Sequence, residues 1–108
     1  MKPSISLGTA QFGLNYGITN DNGKVKKEEV KRILSSNQNK EIEFVDTAQA
    51  YGNAEKILGE CINGKNRYKI ICKFPHQKVE FFGENDKELW DESFYRSLKN
   101  LKVNRIDT

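Results

Sequence analysis

Cysteine is scarce in this sequence. Only Cys61 and Cys72 occur among 108 residues, one on the apolar side of an expected helix and the other inside an expected strand. That placement reads as two buried thiols and argues against a disulfide or a cysteine metal site. No apolar run approaches the roughly 18 residues of a membrane span. The first residues, Met1-Lys2-Pro3-Ser4-Ile5, lack the apolar segment of a secretory signal, so a cytoplasmic location is expected. Charge of one sign is never blocked together. The net charge is +3, but acids sit among the lysines, and the densest basic stretch, 24–32, contains Glu28 and Glu29. Without a basic stripe and interleaved aromatics, nucleic acid is not an expected partner. Internal repeats, linkers and low-complexity segments are also missing. The hydrophobic share is 36%, small for a globular chain, and a chain of this length holds one domain at most.

What is present is an alternation. Ser4 to Gly8 reads as a first strand, followed by a loop punctuated by Gly8, Gly13 and Gly17, with turn chemistry at Asn20-Asp21-Asn22-Gly23. Helical spacing over 26–36 puts Val30, Ile33 and Leu34 on one side. Ile42 to Asp46 is a second strand. Asn53 suits the N-cap of a helix whose Ala54, Ile57, Leu58, Cys61 and Ile62 form an amphipathic stripe, ended by Asn63-Gly64. Tyr68 to Lys73 is a third strand, which Pro75 blocks from continuing. After a loop, Asn85 and Glu88 are spaced as a capping box. Trp90, Phe94, Leu98 and Leu101 then line one side of a third helix ending near Lys102. Arg105 to Thr108 opens a fourth strand. The order β-α-β-α-β-α-β implies an α/β architecture with parallel strands.

In such architectures function gathers at the carboxyl ends of the strands. Asp46 ends strand two, Tyr51 follows in the next loop, and Lys73 ends strand three. Each has an ordinary reading: Asp46 as a turn or capping residue, Tyr51 as a loop aromatic, Lys73 as a solvated lysine. Together on one rim they favour a site. A free tyrosine titrates near ~10, too high for easy proton donation at neutral pH. A nearby ammonium favours the phenolate and lowers that value, and a carboxylate holds the ammonium in place. Tyr51 would then be a general acid, tuned by Lys73, with Asp46 orienting the lysine. Reducing a carbonyl also needs a hydride from a cofactor.

At these residues the sequence resembles the aldo-keto reductase family. Asp46-Thr47-Ala48-x-x-Tyr51-Gly52-Asn53-Ala54-Glu55-x-x-Leu58-Gly59 is similar to the family's second βα signature. Ile70-Ile71-Cys72-Lys73-Phe74 resembles the strand carrying its lysine. Ser97 to Leu101 with Arg105-Ile106-Asp107 resembles its third helix and the entry to strand four, and Leu7-Gly8-Thr9-Ala10 resembles the Gly-Thr element near the nicotinamide. The loop Gln11 to Gly17 is most similar to bacterial members of the sugar and surface-polysaccharide type. The resemblance implies a (β/α)8 TIM barrel and NADP- or NAD-dependent reduction of an aldehyde or ketone. It implies Asp46, Tyr51 and Lys73 as catalytic residues, with Gly8, Thr9 and Asp46 near the cofactor.

The resemblance also sets limits. The family's catalytic histidine lies at the end of strand four, and His76 does not match that position. It reads as a surface-loop residue. A whole barrel of this type takes roughly 250 residues, so residues 1–108 are expected to be a partial domain, truncated before the end of strand four, and inactive alone. Its open sheet edges would favour self-association. Two other readings stay open: an inactive truncated fragment or half-barrel that only associates with a complementary chain, and a regulatory cofactor sensor. No metal is implied, and the substrate and the choice of NADPH or NADH are not legible.

Overall fold

The computed structural model describes residues 3–38, 40–62 and 68–108. Three strands form one parallel sheet in the order β1-β2-β3. They are β1 (Ile5–Gly8), β2 (Ile42–Asp46) and β3 (Lys69–Ile71). The helices are α1 (Ala10–Gly13), α2 (Lys27–Ser35), α3 (Ala54–Ile62) and α4 (Glu84–Leu101). The expected end of α3 at Asn63-Gly64 lies outside the described residues.

Strand register decides which side chains meet. Leu7 pairs with Val45, and Val45 with Ile70, so these apolar residues share one face. Val45 and Ile70 are buried there against Val30 and Leu34 of α2 and Leu58 of α3. The row Gly8, Asp46, Ile71 follows by pairing and, one residue on, faces the opposite side. The helices therefore cover one face of the sheet and leave the polar strand ends on the other.

Four expectations are corrected. The Gln11–Gly17 region is not all loop, because α1 forms one short helix there, with Phe12 buried beneath it. The third strand is shorter than Tyr68 to Lys73. Beyond Ile71 the Cys72 N–H donates to the Thr108 carbonyl at 2.8 Å, and Lys73 turns to Asp46. Arg105 to Thr108 docks beside β3 without forming a regular strand. The Asp107 carboxylate accepts the Ile70 N–H at 2.9 Å, and the Asp107 and Thr108 N–H groups both donate to the Ile70 carbonyl. A side chain thus replaces a backbone acceptor and interrupts the ladder. Finally, α4 begins at Glu84, with Gly83 as N-cap. The Asp86 carboxylate accepts the Gly83 N–H at 2.8 Å, which does the work expected of Glu88. The other end of α4 closes on Lys102, in the left-handed region at φ 54.

The packed side of α4 also differs from its hydrophobic spacing. Ser93, Ser97 and Leu101 are its buried residues, whereas Phe94 is exposed. Trp90 turns outward to stack on Phe74, ring centroids 4.7 Å apart.

Candidate active site

The register brings the polar strand ends together. Asp46 lies beside Gly8 on one flank and Ile71 on the other. Lys73, two residues past Ile71, falls on the same side by alternation. Its ammonium forms an ion pair with Asp46 and donates to the Thr47 carbonyl at 3.3 Å. The Lys73 Nζ lies 5.5 Å from the centre of the Tyr51 ring. The expected trio is therefore one cluster, half-open to solvent, with the lysine side chain 49% and the aspartate 34% exposed.

Electrostatics follow from that cluster. Partial burial pulls the Lys73 ammonium down, but the hydrogen bond and charge of Asp46 outweigh it, with smaller contributions from Tyr51. The net result holds Lys73 above the ordinary lysine value, a firmly charged cation beside a phenol. Thr9 braces the other side. It is fully buried, and its hydroxyl and its N–H donate to the Asp46 carbonyl at 2.9 Å and 3.0 Å. Gly8, Thr9, Asp46 and Tyr51 share a hollow of about 580 Å³ along the open edge of β1 with Leu7, Val25 and Ile33 from the helix-packed side. A side chain at Gly8 would meet no atom within 4 Å, so the space beside Asp46 is open.

Tyr51 is placed by backbone contacts that the sequence reading missed. Its N–H donates to the Ala48 carbonyl at 3.1 Å, and its carbonyl accepts the Ala54 N–H at 3.0 Å. Gly52 turns the chain at φ +56, where a side chain would be strained. A Cβ on Gly13 would come within 1.6 Å of the Tyr51 carbonyl oxygen. The end of α1 thus packs directly on the Tyr51 turn, and the glycines that looked like loop punctuation permit that approach.

Behind the trio lies a buried polar group that was also missed. Glu55 is 4% exposed. One carboxylate oxygen accepts Ser97 Oγ at 2.7 Å and Cys72 Sγ at 3.2 Å, and the other accepts Asn100 Nδ2 at 3.1 Å. Gln49 Nε2 donates to Ser97 Oγ at 2.8 Å and to the Ser93 carbonyl at 2.6 Å. Burial first, and then the adjacent Glu55, push the Cys72 thiol up to about 11, which suits a hydrogen-bond donor and not a nucleophile. The signal available in sequence was the small-polar spacing Ser93, Ser97, Asn100 on one side of a helix. Both cysteines are free, and His76 is exposed. Among the described residues no group of three or more His, Cys, Asp or Glu could hold a metal ion, and no helix is long and apolar enough to cross a membrane.

Comparison with known proteins bears on the family and the fold. The model of the aldo/keto reductase family matches residues 4–108. No curated protein sequence matches. Two solved structures, each described as a "putative aldo-keto reductase" from Pseudomonas aeruginosa, are similar. One is 31% identical with a TM-score of 0.72, over 94% of this chain and 39% of that one. The other is 30% identical with a TM-score of 0.68, over 94% of this chain and 38% of that one. The chain thus spans well under half the length of either. Its partial parallel sheet with flanking helices is the α/β architecture of the N-terminal portion of a (β/α)8 barrel, and the chain belongs to the aldo/keto reductase family.

Proposed function

We propose that this chain supplies the proton-donating side of an oxidoreductase that reduces an aldehyde or ketone to an alcohol with NADPH or NADH. The observation that carries the reading is the Lys73–Asp46 ion pair set beside the Tyr51 ring. Tyr51 gives its hydroxyl proton to the carbonyl oxygen as that oxygen gains negative charge. Lys73 stabilises the phenolate that remains, and Asp46 holds the ammonium in range. Thr9 keeps Asp46 in place through its carbonyl.

The open floor at Gly8 supports a nicotinamide fit, because a side chain there would occupy the space a ring needs. In the proposal Gly8 and Asp46 contact the nicotinamide end, and Thr9 acts from behind them. A bound nicotinamide would supply the hydride to the carbonyl carbon.

The test is turnover by the polypeptide carrying this sequence, with NADPH and NADH and a panel of aldehydes and ketones, read as loss of reduced-nicotinamide absorbance. Lys73→Met should lower the rate by about 10²-fold or more, the scale of acid catalysis. Turnover at the parent rate in that variant would overturn the assignment.

A further inference from the structure

We infer that Glu55 is a positioning residue that locks the Tyr51 loop and the Lys73 segment beyond β3 into one fixed geometry. The inference rests on the reading above for what that geometry is used for, but its structural content stands apart.

Glu55 is the hub of a relay across four segments. Gln49, two residues before Tyr51, donates to Ser97 on α4. Ser97 in turn donates its hydroxyl hydrogen bond to Glu55 on α3. Cys72, the neighbour of Lys73, donates to the same carboxylate oxygen. Asn100, one turn after Ser97, takes the second oxygen. The relay therefore begins two residues from Tyr51 and ends one residue from Lys73.

The chemistry of the hub separates it from ordinary filler. A buried carboxylate is costly unless its lone pairs are satisfied, and a hydrophobic residue would fill the space between α3 and α4 at less cost. Among the described residues no Lys or Arg donates to Glu55; the donors there are an alcohol, a thiol and an amide. Directional bonds from neutral donors fix distance and orientation, which greasy packing does not. Removing one partner leaves a buried group unsatisfied, so the relay resists partial rearrangement. Errors of about 1 Å at a reacting centre are enough to cost roughly 10²-fold in rate.

Gly59, one turn along α3 from Glu55, lets α4 approach closely enough for the bonds to form. A Cβ there would lie 2.1 Å from the Asn100 carbonyl oxygen. The hub and the glycine are two parts of one close contact.

The experiment is solution NMR on the chain. The parent should give a cross-peak between Lys73 Hε and the Tyr51 ring protons. Glu55→Gln and Ser97→Ala should lose that cross-peak while keeping a dispersed, folded amide spectrum. Gln49→Ala, whose side chain is only half-buried and whose removal leaves the Glu55 bonds intact, guards against variants that fail to fold. It should also lose the cross-peak. Lys87→Ala, on the exposed side of α4, is the control and should retain it. A cross-peak of parent intensity in folded Glu55→Gln or Ser97→Ala, or in Gln49→Ala, would overturn the inference. Neither result depends on turnover, so the relay can fail while the reductase reading survives, and the reverse.

Discussion

Replacing Gly59 by alanine sets two effects against each other, and the geometry decides the sign. Glycine inside a helix is unfavourable, so alanine should gain about 1 kcal/mol from helix propensity alone. The new Cβ would lie 2.1 Å from the Asn100 carbonyl oxygen and 2.9 and 3.0 Å from two backbone atoms of Leu101. All three are backbone atoms of α4, so no side chain can swing aside. Reaching even a tight 3.4 Å contact requires α3 and α4 to part by over an ångström. That separation strips contacts from Leu58 and Leu101, both fully buried, and stretches the Asn100 and Ser97 bonds to Glu55. Overpacking typically costs about 1–3 kcal/mol, and a backbone-to-backbone clash belongs at the upper end. The propensity gain offsets part of this, leaving a net loss of about 1–2 kcal/mol. For a domain of this size each kcal/mol is worth roughly 4–8 °C in melting temperature. Thermal unfolding followed by far-ultraviolet circular dichroism reads the shift. A Gly59→Ala variant that melts at or above the parent temperature would show that α3 and α4 do not pack this closely.

Further outcomes follow from the same contacts. Gly13→Ala should displace the Tyr51 turn, since its Cβ would meet the Tyr51 carbonyl at 1.6 Å; a cost of roughly 1–3 kcal/mol is expected, and an unchanged melting temperature would argue against it. Lys73 is held above its ordinary 10.5, so its pairing contributes stability below that pH and loses it as pH rises through the folded value. Asp46→Asn should therefore be less stable than the parent at neutral pH, and the difference in melting temperature should narrow above pH 10.5; a constant difference would count against the ion pair. Cys72, raised from 9.0 to about 11, should alkylate about a hundredfold more slowly than an ordinary thiol at pH 8 from its thiolate fraction alone. Peptide mass spectrometry of iodoacetamide-treated chain checks this, and fast labelling at Cys72 would contradict its burial together with the Glu55 contact.

Much of the scaffold was legible because it obeys simple periods. The α3 stripe and the bounds of β2 came from 3.6-residue and two-residue spacing, and the strand ends then placed Asp46 and Lys73 on one rim. What was not legible depends on distant partners. α1 is only four residues long, too short for periodicity, and it forms because Phe12 is buried and Gly13 packs on the Tyr51 turn. The shortened β3 depends on Asp107, 37 residues from the N–H that it accepts. The hydrophobic spacing of α4 pointed to Phe94, but Ser97 turns inward to a buried carboxylate across the interface, and the Ser93 carbonyl accepts Gln49 beside it. Glu55 itself stood inside the signature segment, yet nothing local marks an acid as buried. Gly59 was the available hint, since a glycine within a helical pattern often marks a close approach.

The most direct measurement compares cofactor binding and turnover in Tyr51→Phe, using one preparation of the polypeptide that carries this sequence. Phenylalanine keeps the ring and removes only the hydroxyl. The account predicts that NADPH or NADH binds as to the parent by fluorescence titration, while carbonyl reduction falls by about 10²–10⁴-fold. Turnover at the parent rate with intact binding would contradict it, because the proton would then come from somewhere other than Tyr51.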